Sequence, residues 1–198
     1  MIIALLGASG SGKSTIERIL SDEHDFNKII PFTTRSIRPG EVNGKDYYFI
    51  TNSFFDEMLK DEFFAEYEEY SQKRFYGTLK ADYTYGEIGN RVVVLTPNGL
   101  RQLKRNCPEE EFFSVLVNSS LGTRMKRYID RCGVNKFNFD DKNEIAARVE
   151  RDFGAFLGIE QEVDLIVDNN EGTNLAEVVQ QILKAAHEKK GARDNGKV

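Results

Sequence analysis

The sequence predicts an α/β fold, a parallel sheet flanked by helices on both faces with a mixed α+β unit inserted into it. Three observations predict it. Short apolar runs without polar alternation recur along the chain, as in strands buried on both faces. Segments with apolar residues at helical spacing stand between those runs. A glycine-rich loop joins the first run to the first helical segment. Strands that alternate with helices need crossover connections, and crossovers pair strands in parallel.

Ile2-Ile3-Ala4-Leu5-Leu6 is the first strand, and Ser14 to Leu20 is the first helix, with Ile16, Ile19 and Leu20 on its buried face. Lys28 to Phe32 is a short apolar stretch, and Thr33 to Gly44, rich in Arg and Gly, is a loop. Asp46 to Thr51 is aromatic and β-prone. Ser53 is placed to cap a helix over Phe54 to Lys60. Phe63 to Tyr70 and Arg74 to Tyr76 are again β-prone, and Thr78 is placed to cap a helix towards Tyr85. The stretch from Thr33 to about Gly89 is therefore the inserted unit.

The frame resumes with strands at Arg91 to Leu95 and Phe112 to Val117, and helices at Asn98 to Arg105 and Leu121 to Arg131. Glu144 to Leu157 is a longer helix with Ile145, Val149, Phe153 and Phe156 near one face. Asp164 to Val167 is a last strand and Leu175 to His187 a closing helix. The polar tail from Glu188 to Val198 is expected to fray.

A chain of 198 residues makes one sizeable domain. Its net charge of −5 provides no global basic field for nucleic acid, so an anionic ligand needs local basic clusters. The two cysteines, Cys107 and Cys132, and the two histidines, His24 and His187, show no zinc-site spacing. The cysteines read as reduced thiols of a cytoplasmic protein. The apolar opening is too short for a signal peptide, and no run reaches membrane-span length.

Gly7-Ala8-Ser9-Gly10-Ser11-Gly12-Lys13-Ser14 meets the pattern G-x-x-x-x-G-K-[ST]. Glycines let successive N–H groups curl around phosphates, and the helix that follows turns its N-terminus towards the anion. This assigns Gly7, Ala8, Ser9, Gly10, Ser11, Gly12, Lys13, Ser14 and Thr15 to ATP. Lys13 reaches the β- and γ-phosphates, and the Ser14 hydroxyl is placed for Mg²⁺. The strand before the loop and the helix after it favour this reading over a plain glycine turn.

Thr33-Thr34-Arg35-Ser36-Ile37-Arg38-Pro39-Gly40-Glu41-Val42-Asn43-Gly44-Lys45-Asp46-Tyr47-Tyr48-Phe49 follows. Two arginines three apart suit the grip of one phosphate by forked donors. On residue types alone, a solvated hairpin with surface arginines is the better reading. As a whole, however, the segment resembles the guanylate kinase signature T-T-R-x-x-R-x-G-E-x-x-G-x-D-Y-x-F, complete and correctly placed behind the P-loop. The similarity continues through Phe64-Ala65-Glu66-Tyr67 and Phe75-Tyr76-Gly77-Thr78 to about residue 185.

The resemblance implies a P-loop core at about 1–32, 90–120 and 160–187, a monophosphate-binding unit at about 33–89 and a helical lid at about 121–159. It implies transfer of the γ-phosphoryl group of ATP, with Mg²⁺, to GMP or dGMP. Arg35, Arg38, Tyr47 and Tyr76 would hold the acceptor phosphate. Glu66 would read the base, and Thr78 stands where the family has a base-contacting Ser or Thr. A carboxylate suits the adjacent N1–H and N2–H donors of guanine. Arg124, Arg127 and Arg131 share one helix face, with Asp130 the sole nearby acid, while Glu144 can pair with Arg148. Family position favours Lys13, Arg38, Arg127, Arg131 and Arg148 as catalytic groups. The resemblance implies no nucleic acid, membrane or protein partner.

Three departures bear on base and metal. Val94 and Thr96 occupy positions where the family usually has acids, and Thr96 is retained as a substrate-binding candidate. Pro31 replaces a Ser and cannot donate a hydrogen bond. Glu66 to Tyr76 carries an extra residue. These departures motivate one alternative, a kinase with broadened or shifted base preference. A catalytically silent guanylate-kinase-like interaction module is the alternative of another class, opposed by the intact P-loop.

Overall fold

The computed structural model describes residues 1–71, 73–84, 89–107, 112–132 and 139–194. Strand β1 (Ile2–Leu6) is buried at every position and lies at the centre of a five-stranded sheet. It pairs in parallel with β7 (Arg91–Val94) on one side and β8 (Phe112–Asn118) on the other. Outside these lie β2 (Asn27–Lys28) and β9 (Leu165–Asp168), also parallel. The predicted parallel sheet is the observed one.

Alternation along β1 sends its side chains to two apolar layers. Ile3 and Leu5 pack with Ile16 and Leu20 of helix α1 (Lys13–Glu23) and with Val178, Val179 and Ile182 of α7 (Leu175–Asp194). Ile2, Ala4 and Leu6 pack with Leu100 and Leu103 of α4 (Pro97–Asn106), together with Tyr83 and Ile159. Helices on both faces leave the carboxyl ends of the strands open, which is where such sheets bind ligands.

The inserted unit builds a second, four-stranded sheet in the order β4-β3-β6-β5. Its strands are β3 (Phe32–Thr33), β4 (Tyr48–Phe49), β5 (Phe64–Ser71) and β6 (Arg74–Leu79). Helix α2 (Asn52–Lys60) covers it, with Phe55 stacked between Phe64 and Phe75 at ring distances of 4.4 and 5.2 Å. The β5–β6 register shifts by one residue between Glu69 and Ser71. This shift is a bulge at Tyr70, within the segment where an extra residue is expected.

Several local expectations are corrected. The stretch Lys28 to Phe32 is divided: β2 ends at Lys28 in the large sheet and β3 starts at Phe32 in the small one. The α2 cap is Thr51, whose side chain accepts from the Phe54 N–H, and Ser53 lies inside the helix. Thr78 is a strand residue and not a cap. The short helix α3 (Ala81–Thr84) is preceded by a contact from Leu79 N–H to Asp82 instead, and Tyr85 lies outside the described residues. Helix α6 (Phe139–Ala155) starts ahead of Glu144. Phe153 is 78% exposed and leaves the apolar face to Ile145 and Phe156. Helix α7 continues to Asp194 because Lys189 bonds the Phe112 carbonyl and Asp164, so the tail is helical well beyond Glu188.

Candidate functional site

The phosphate loop leaves β1 at Gly7 and enters α1 at Lys13. Two glycines are required by close approach. Gly7 has φ of 150°, and a Cβ there would lie 2.5 Å from the Val117 carbonyl. Gly12 has φ of 99°, and a Cβ there would lie 2.3 Å from Asn169 Nδ2. Asn169, at the end of β9, donates to the Ser11 carbonyl at 2.8 Å. Arg127 of α5 (Leu121–Cys132) donates to the carbonyls of Gly10 at 3.2 Å and Ser11 at 3.1 Å, and to Asn169 Oδ1 at 3.1 Å. Holding the carbonyls outward leaves the loop N–H groups to face the ligand side.

Lys13 Nζ donates to the carbonyls of Gly7 at 2.5 Å and Ala8 at 3.1 Å. Burial lowers its pKa to about 8; Asp152 opposes this, while Arg124 and Arg131 add to it. Asp152 is a buried carboxylate of α6. It accepts the Ser9 N–H at 2.7 Å and lies 3.5 Å from Arg124 NH1. The loop therefore already holds one anionic oxygen on a backbone donor.

A cavity of about 750 Å³ runs from this loop into the inserted unit. It brings together Lys13 and Ser14 with Arg35, Arg38, Tyr47, Glu66 and Tyr76, and with Arg148 of α6. Arg127 and Arg131 do not line it. Arg127 is turned behind the loop, and Arg131 donates to the Arg127 carbonyl at 3.2 Å and lies over the Tyr128 ring. The shared helix face expected from their spacing is used in part against the P-loop, a contact invisible to periodicity. Glu144, the expected partner of Arg148, has its side chain outside the described residues, and Arg148 lies 5.8 Å from the centre of the Tyr128 ring.

Arg35 is buried and fixed on three sides. NH1 donates to Glu41 Oε2 at 2.7 Å and the Ser36 carbonyl at 2.8 Å, and NH2 donates to Glu41 Oε1 at 2.5 Å. Its guanidinium lies 5.0 Å from the Tyr47 ring centre and 5.5 Å from that of Phe49. Of five donors, Nε–H and one NH2 hydrogen are used by neither Glu41 nor Ser36, and the Tyr76 hydroxyl also interacts with the guanidinium. Glu41 also accepts the Arg38 N–H at 2.8 Å, and the Arg35 fork holds its carboxyl down to about 2. Glu41 was legible only as a letter of the signature; its role as the brace of Arg35 emerges from the fold.

Glu66 is 7% exposed and accepts from the Thr78 hydroxyl at 2.8 Å, and Thr78 in turn meets the Tyr83 hydroxyl at 2.8 Å. Burial pushes the Glu66 pKa up to about 7; Thr78 opposes the rise and the charge of Glu68 adds to it. Thr96 caps α4 by accepting the Gly99 N–H at 3.0 Å and donates its hydroxyl hydrogen to Glu68. Val94 lines the cavity without an oxygen to offer. Glu17, 6% exposed on α1, lines it too and pairs with Lys28 at 3.3 Å.

A lysine-bearing glycine loop between the central parallel strand and its helix, opening on a cavity lined with arginines, defines a P-loop nucleotide-binding protein. The family model described as guanylate kinase matches residues 1–186. The guanylate kinase of Lactococcus lactis subsp. lactis (strain IL1403) is 32% identical over 190 residues, covering 94% of this chain and 88% of that one. That of Latilactobacillus sakei subsp. sakei (strain 23K) is 30% identical over 191 residues, covering 94% and 90%. The crystal structure of guanylate kinase from Anaplasma phagocytophilum superposes with a TM-score of 0.70 at 19% identity, covering 96% of this chain and 85% of that chain, a likeness of fold. The chain belongs to the guanylate kinase family. Among the described residues no helix is long and apolar enough to cross a membrane.

Proposed function

We propose that this protein transfers the γ-phosphoryl group of ATP to GMP or dGMP. The observation that carries the reading is the single cavity joining Lys13 of the P-loop to Arg35, Arg38, Tyr47 and Tyr76 at one wall and Glu66 at another. The triphosphate lies on the loop N–H groups, with Asp152 displaced from Ser9. The acceptor phosphate takes the remaining donors of Arg35, those of Arg38 and the hydroxyls of Tyr47 and Tyr76. Glu66 accepts from the Watson–Crick edge of guanine.

An oxygen of the acceptor phosphate attacks the γ-phosphorus in line, and the bond to the bridging oxygen of ADP breaks. The attacking oxygen is already anionic, so no general base is required. The protein supplies position and positive charge. Lys13 and Arg148 reach the cavity directly, while Arg127 acts by holding the loop and Arg131 follows it on the lid helix. Ser14, with Glu17 in the same cavity, offers the hard oxygen donors that suit Mg²⁺. When bound with ATP, that ion neutralises charge on the phosphates.

The test is ADP formation from ATP and Mg²⁺ with GMP, dGMP, AMP, CMP, UMP and dTMP. Turnover is expected with GMP and dGMP; none with any acceptor would overturn the enzyme reading, and equal turnover on AMP would overturn the guanine assignment. A pH profile gives a second expectation. Glu66 has a raised pKa, so it is ionised above about 7 and neutral below it, where it loses an acceptor oxygen. KM for GMP should therefore rise roughly tenfold from pH 8 to pH 6. In Glu66→Gln the profile should shrink to the residual titration of the acceptor phosphate itself. An unchanged profile in that variant would remove Glu66 from base reading.

A further inference from the structure

Glu66 and Glu68 project from the same face of β5, two residues apart, and both line the cavity. Both meet the N-terminus of α4. Glu66 Oε2 lies 2.9 Å from where a Cβ on Gly99 would stand, and Glu68 Oε2 is held by the Thr96 hydroxyl. Neither carboxylate forms an ion pair with a described residue. The positive end of the α4 dipole and two threonine hydroxyls compensate them in part. Glu66 meets Thr78 alone by hydrogen bonding, and Glu68 Oε1 has no hydrogen-bond donor among the described residues. Such an arrangement calls for a ligand rich in N–H groups.

Guanine presents three hydrogens on one edge, one at N1 and two at N2. Glu66 already spends one oxygen on Thr78. A second acceptor is needed for the outer N2 hydrogen. We propose that Glu68, oriented by Thr96, is the second base reader of this protein and selects for the exocyclic amine of guanine. The inference rests on the GMP kinase reading above. Thr96, at the start of α4, holds the Glu68 carboxyl at the cavity wall. Glu66 and Glu68 are in phase on the cavity side, because the register is regular from Glu66 to Glu69, between one shift at Phe64 to Glu66 and another at Glu69 to Ser71.

Hypoxanthine differs from guanine in lacking only the N2 amine, so inosine monophosphate is the discriminating probe. In Glu68→Ala, kcat/KM for GMP should fall about tenfold or more, as for loss of a hydrogen bond to a charged acceptor. kcat/KM for inosine monophosphate should stay within about twofold, and KM for ATP should not move. Glu68→Gln, which keeps an acceptor oxygen, should recover part of the GMP activity. An equal fall for both acceptors, or no change for either, would overturn the assignment. Absence of GMP turnover in the wild type would overturn the parent reading instead, and the two failures are distinct. Circular dichroism melts of the variants check that the fold is kept.

Discussion

Lys13→Ala should lower kcat by about 10³-fold, the scale set by loss of a preorganised charge at the transferring phosphoryl group. The side chain is the one cation of the loop itself and is folded against the Gly7 and Ala8 carbonyls. Its stem therefore needs little reorganisation to meet the phosphates. Binding of GMP, measured by calorimetry without ATP, should be nearly unchanged, because the acceptor groups sit on the inserted unit. The kcat is read from ADP formation at saturating GMP. A variant that retained wild-type kcat would exclude Lys13 from the transfer step.

The second large effect is expected at the other wall. Arg35→Ala should raise KM for GMP about 100-fold and leave KM for ATP alone. Two contributions act together. The acceptor phosphate loses the donors that Glu41 and the Ser36 carbonyl do not use, and Glu41 is left without the fork that holds its carboxyl down to about 2. Arg35→Lys should recover little, since one ammonium cannot satisfy both oxygens of Glu41 and the phosphate in the guanidinium geometry. An Arg35→Ala enzyme with wild-type KM for GMP would show that the phosphate is held elsewhere.

What the sequence disclosed and what it hid divide along chain separation. The P-loop is eight consecutive residues between a buried strand and a helix, and its physics is local. The signature from Thr33 to Phe49 is likewise contiguous. Asp152, by contrast, meets Ser9 across 143 residues, and Asn169 meets Ser11 across 158. Nothing in the local pattern of α6 or β9 marks either residue. Arg127 shows the same limit from another side: spacing groups it with Arg124 and Arg131, but only tertiary packing decides that it faces the loop carbonyls. Glu68 stands in a run with Glu66 and Glu69 that local pattern does not tell apart, and Thr96 is marked in the sequence only by the acid it lacks. Their pairing depends on the packing of β5 against α4. Ser53 and Thr78 are not caps for a smaller reason: several Ser and Thr residues near a helix start compete, and the strand ladder claims Thr78.

The bracing of Arg35 has a consequence for every turnover. A free arginine side chain carries about 2 kcal/mol of rotamer entropy. In a site built of mobile arginines, that entropy is lost each time an acceptor arrives and regained each time the product leaves. Here Glu41, Tyr47 and Phe49 remove it once, when the chain folds. The acceptor then meets a donor pair already aimed, and the free energy of its phosphate contact goes into affinity rather than into ordering the protein.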